Sequence, residues 1–151
     1  MFNLLPVPSF KFSKTEKLKS RKVIQQLFEK RNSIHIFPLR LIWGPISPRF
    51  NTYPAQFSVT VPKKKFPKAV DRNRIKRVIR EAYRLRKPDF YEHITPFEQQ
   101  YGLMFIYTGK KQPNLKELDK SLKRIRKKMV KELTTQKAAN KNREARTESR
   151  D

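Results

Sequence analysis

Fifteen residues, Val70 to Arg84, hold the chain's densest set of side chains able to engage a ligand. Asn73, Lys76, Arg77, Arg80 and Arg84 recur at helical spacing, with Arg72 and Arg74 flanking the row near its start. At about 100° per residue these side chains gather on one side of a helix. Ile75, Val78, Ile79, Ala82 and Tyr83 take the other side, at the spacing of a helix laid on a core. One face therefore fixes the helix to a scaffold. The other presents several cations and an amide at set positions, which suits a polyanion of defined shape. The preceding loop, Lys63-Lys64-Lys65-Phe66-Pro67-Lys68, adds four lysines. Residues 62–87 carry 12 Lys and Arg against 2 Asp and Glu, a balance of +10, whereas a merely solvated face mixes signs.

Other site chemistries find no support. His35 and His93 each lack a second ligand at metal spacing, and the acidic residues form no recognisable dyad. Ser58 lies outside any nucleophile-elbow context. With no cysteine, disulfides, thiolate metal sites and cysteine nucleophiles are excluded, and a reducing cytoplasm is the compatible setting. An autonomous protein active site is not expected.

The whole chain leans the same way. Its 151 residues include 37 Lys and Arg against 13 Asp and Glu, a formal charge of +24. Such an imbalance opposes a compact state unless a polyanion neutralises it, and nucleic acid is the usual partner. An anionic membrane surface is the rival, but no segment approaches 18 consecutive apolar residues, so no spanning helix and no membrane partner are expected. Residues 1–12 are mildly apolar but broken by Pro6 and Pro8, without the charged and apolar regions of a signal peptide.

These residues need a scaffold to position them. Residues 1–13 read as an irregular leader. Ser20 caps a helix to about Arg31, with Val23, Ile24, Leu27 and Phe28 as its apolar stripe. Leu39 to Trp43 is a strand, with Pro38 at its start or on an edge, and the proline-rich stretch 44–54 is a loop. Phe57, Val59 and Val61 alternate with polar residues as a half-buried strand. The basic helix follows with Asp71 as N-cap, and Pro88 ends it, leaving 88–100 irregular. Leu103 to Tyr107 is a buried strand. Asn114 and Glu117 open a last helix whose stripe runs from Leu115 to Leu133, with 8 basic and 3 acidic residues over 115–133. Beyond Thr134 periodicity fails, and a disordered tail over 134–151 is expected. Trp43, Phe57 and Phe105 are assigned to the core. One small α+β domain results, with helices on one face of its sheet and the other face left to bind.

The run Lys63-Lys64, Ala69-Val70, Arg72-Asn73-Arg74-Ile75-Lys76-Arg77, Arg80-Glu81, placed after a strand and a lysine-rich loop, resembles the signature of the bacterial ribonuclease P protein component. The resemblance covers roughly residues 14–133. It implies an αβββαβα two-layer sandwich with a left-handed βαβ crossover, opposite to the general rule. It also implies the protein subunit of a ribonucleoprotein endonuclease that removes the 5′ leader of precursor tRNA. The catalytic RNA, paired one to one with the protein and using Mg²⁺ held mainly by the RNA, performs the hydrolysis. The protein raises substrate affinity and lowers the magnesium requirement, with no catalytic residues of its own.

By the same resemblance, Lys63, Lys64, Lys68, Arg72, Asn73, Arg74, Lys76, Arg77 and Arg80 dock on the RNA subunit. Ile24, Phe28, Arg40 and Ile42 line the leader cleft, Ile24 standing where the family often has an aromatic ring. Phe66-Pro67 lengthens the basic loop by one residue, and Ser58 replaces a common glycine. The alternatives are a general ribosomal-type RNA-binding protein and a helix-turn-helix DNA binder. The strand and lysine loop before Arg72 disfavour the DNA binder, which expects a short preceding helix.

Overall fold

A computed structural model of the chain describes residues 13–30, 32–47 and 52–148. The first helix, α1 (Arg21–Lys30), begins where the Ser20 hydroxyl accepts the Val23 N–H at 3.3 Å. Strands β1 (Ser33–Ile36) and β2 (Leu39–Ile46) form a hairpin, and β3 (Ala55–Thr60) follows. Helix α2 (Ala69–Ile94), strand β4 (Gln100–Tyr107) and helix α3 (Leu115–Glu148) complete the expected αβββαβα order. The sheet runs β1-β2-β4-β3. Strand β2 is antiparallel to both its neighbours, while β3 and β4 are parallel, so α2 is the crossover of a βαβ unit.

Strand alternation sorts the side chains onto two faces. On one, Leu41, Trp43, Phe57, Leu103 and Phe105 meet Ile75, Ile79, Tyr83 and Phe90 of α2 and Leu122, Ile125 and Met129 of α3 in the main core. Phe57 stacks on Tyr83 with ring centroids 4.1 Å apart. The three aromatics assigned to the core are there.

On the opposite face α1 builds a smaller core from Leu18, Val23, Leu27 and Ile46. Gly44 and Gly102 are register partners beneath Leu27. A Cβ at Gly102 would sit 2.8 Å from Leu27 Cδ1, and one at Gly44 would sit 3.0 Å from Cδ2. The glycine pair thus makes the depression that lets α1 approach. This face is therefore covered at one end, and open where Arg40 and Ile42 stand.

Four expectations need correction, and the leader at 1–12 lies outside the described residues. Strand β2 continues through Pro45 to Ile46, into the stretch read as loop. It is past the last β1 partner, Ile42, so only β4 needs ladder bonds there. Helix α2 starts two residues before Asp71, with Lys68 at the N-cap, and Asp71 lies in its first turn, where a carboxylate favours the helix dipole. The same helix passes Pro88 and runs to Ile94. A proline inside a helix costs about 3 kcal/mol. Burying Phe90 and Ile94 beyond it returns about 1.5–3 kcal/mol each, so packing wins. Finally, α3 continues to Glu148 where a disordered tail was expected. Residues 134–148 contain neither Gly nor Pro and are rich in good helix formers, but they bury no stripe for periodicity to report.

Candidate nucleic-acid interface

The first half of α2 presents its cations outward. Asn73, Arg74, Arg77 and Arg80 are exposed and Lys76 half-buried, while Ile75 and Ile79 on the other side are fully buried. Arg74, Lys76, Arg77 and Arg80 have no ion-pair partner among the described residues. Arg72 is used differently. Its guanidinium donates to the carbonyls of Phe66 at 2.8 Å and Pro67 at 2.7 Å, tying the lysine loop to the helix.

That loop is anchored from below. Phe66 is buried, its ring 5.9 Å from that of Tyr107, and its N–H donates to the Pro62 carbonyl. The buried ring fixes the loop and leaves Lys63, Lys64 and Lys68 exposed beside the helix. Lys65 turns aside to donate to the Thr108 carbonyl at 2.9 Å.

The leader-cleft residues fall beside the open sheet face but differ in character. Phe28 is 47 % exposed on α1 and outside both cores. Ile24 and Ile42 are half-buried against the α1 core, so they are shared between packing and surface. Arg40 is exposed. At the β3 edge, Arg80 joins Lys17, Lys19 and Ser58 around a hollow of about 200 Å³.

Sequence reasoning missed the element that closes this edge. A short 3-10 turn, Lys14–Glu16, leads into Lys17 and Leu18, and the Leu18 N–H donates to the Phe57 carbonyl at 2.8 Å. Glu16 is buried and takes Lys87 Nζ at 2.9 Å and the Tyr91 hydroxyl at 2.7 Å on Oε1, with the Ser13 N–H at 2.7 Å on Oε2. Burial opposes its charge, but the hydrogen bonds from Tyr91, Ser13 and Lys87 outweigh it and hold the carboxyl below the usual range. Burial drives the Tyr91 hydroxyl far upward, and the Glu16 carboxylate adds to this, so Tyr91 remains a donor. Lys87 and Tyr91 lie 71 and 75 residues from Glu16, beyond any local pattern.

The Ribonuclease P family model matches residues 12–130, a span that takes in α1, the sheet, the lysine loop, all of α2 and half of α3. The chain belongs to the ribonuclease P protein family. Membership makes it part of an endoribonuclease complex of tRNA processing and implies partnership with ribonuclease P RNA. Within the family it is 30% identical over 117 residues to the ribonuclease P protein component of Porphyromonas gingivalis, covering 78% of this chain and 85% of that protein. A Chlorobaculum tepidum ribonuclease P protein component is 39% identical over 71 residues, 46% of each chain. The fold is that of the Staphylococcus aureus RNase P protein, with a TM-score of 0.57 at 22% identity, over 74% of this chain and 93% of that one. Among the described residues, no helix is long and apolar enough to cross a membrane.

Proposed function

We propose that this chain docks on the catalytic RNA of ribonuclease P through the first half of α2 and the Lys63–Lys68 loop. The 5′ leader of precursor tRNA lies in the cleft between α1 and the open sheet face. One observation carries this reading: Arg74, Arg77 and Arg80 stand exposed on α2 with no ion-pair partner among the described residues, while α1 holds an exposed aromatic ring, Phe28. Arg74, Lys76, Arg77 and Arg80, with Lys63, Lys64 and Lys68, engage phosphates, and Asn73 adds an amide. Arg72 holds the loop in register for them. Phe28 gives an unpaired base a stacking surface, with Ile24 and Ile42 as its apolar floor and Arg40 as a phosphate contact.

Hydrolysis belongs to the RNA. In this reading the Mg²⁺ of the holoenzyme is held mainly by the RNA. The protein, bound one to one in the cytoplasm, raises affinity for the precursor and lowers the magnesium requirement by neutralising RNA charge. The test adds purified protein to a bacterial ribonuclease P RNA and precursor tRNA at low Mg²⁺. Stimulated release of the 5′ leader is expected. Equal binding to unrelated structured RNAs with no stimulation would favour a general RNA-binding protein instead.

A further inference from the structure

The last helix carries a second basic surface on the far edge of the sheet. Strand β1 is the edge opposite β3, and α3 packs beneath β1 and β2. Between them runs a groove of about 890 Å³ whose α3 wall is Arg124, Lys127, Lys128 and Lys131. These four stand at i, i+3, i+4 and i+7 and so share one helix face, over about 10 Å of axis. All four are exposed, and none has an ion-pair partner among the described residues. Arg126, on another side of the same helix, is paired with Asp89 at 3.0 Å. Asn32, Ser33 and Ile36 supply the opposite wall, and Glu132 is the one carboxylate among the described lining residues.

We propose that this groove is a second RNA site that grips the sugar-phosphate backbone of a paired strand. Its charge calls for a polyanion. No aromatic ring is among the described lining residues, so it has no platform for unstacked bases, unlike the α1 cleft with Phe28. Paired RNA, with its bases stacked inside and its phosphates outside, matches such a surface. The groove runs on past residue 130, through Lys131, Thr135 and Gln136, beyond the span that matches the family. With α2 at one edge of the sheet and α3 at the other, the chain bridges two phosphate tracts.

The test measures the salt dependence of full-length protein binding a fluorescent RNA hairpin, so it does not depend on tRNA processing. The variant Arg124→Gln/Lys127→Gln/Lys128→Gln/Lys131→Gln should lower the log–log slope by about 2 to 4, since each lost phosphate contact removes about 0.9. The loss should add to that of Arg74→Gln/Arg77→Gln, as independent sites do. Lysine acetylation of the wild type should show Lys127, Lys128 and Lys131 protected by the hairpin. An unchanged slope, no protection, or a combined variant no weaker than either alone would overturn the second site. So would loss of binding to phosphatidylglycerol vesicles with hairpin binding intact.

Discussion

The two halves of α2 use the same residue types for opposite ends. In the first half, Arg74, Lys76, Arg77 and Arg80 have no acidic partner among the described residues. In the second half every basic side chain from Arg84 to Lys87 is matched. Arg84 binds Glu81 at 2.6 Å, Arg86 reaches Asp119 of α3 at 2.7 Å, and Lys87 meets Glu16 at 2.9 Å. Paired cations tie the helix to α3 and to the N-terminal segment, and cations left unpaired are available to a partner. The sign of a charge does not separate these roles. Its company does.

The largest effect should come from breaking the buried pair. Lys87→Met leaves Glu16 without its counter-charge in a dry site and should cost about 3–5 kcal/mol in urea unfolding. A loss below about 1 kcal/mol would mean that Tyr91 and the Ser13 amide satisfy Glu16 alone. Phe28→Ala should leave the unfolding midpoint nearly unchanged, because the ring is 47 % exposed, yet weaken precursor over mature tRNA by about 1–3 kcal/mol. Equal weakening of both RNAs, or a lost fold, would return Phe28 to a packing role.

The Glu16 pair also gives a smaller, pH-dependent effect. Its carboxyl is lowered in the folded protein, so its stabilisation is complete above the ordinary glutamate value of about 4.3 and fades as pH falls through the lower folded value. The stability gap between wild type and Glu16→Gln should therefore hold from neutral pH to about 5 and shrink in stronger acid. A gap independent of pH would show that the carboxylate's charge is not what matters.

Legibility followed the range of each interaction. The basic face of α2 and the core placement of Trp43, Phe57 and Phe105 are local patterns of period 3.6 and 2, and they are visible in one segment. The residues expected to line a leader cleft came only from the family resemblance, and the structure divides them: Phe28 is open, while Ile24 and Ile42 are half absorbed by the α1 core. Pro88 misled because its local cost is certain while the burial of Phe90 and Ile94 depends on elements far along the chain. Glu16 carried only a local signal, the Ser13-x-x-Glu16 capping-box pattern, while its Lys87 and Tyr91 partners are on a helix that begins more than fifty residues later. The pairing of Arg86 with Asp119 was hidden for the same reason, so Arg86 and Lys87 counted with the free cations in the +10 balance of residues 62–87.

The contrast between the two halves is tested most directly by the salt dependence of binding to ribonuclease P RNA, wild type against Arg74→Gln/Arg77→Gln. The expected result is a log–log slope smaller by about 1.8, with the unfolding midpoint unchanged. Equal slopes and equal affinities would contradict it, and would place the RNA on some other face of the molecule.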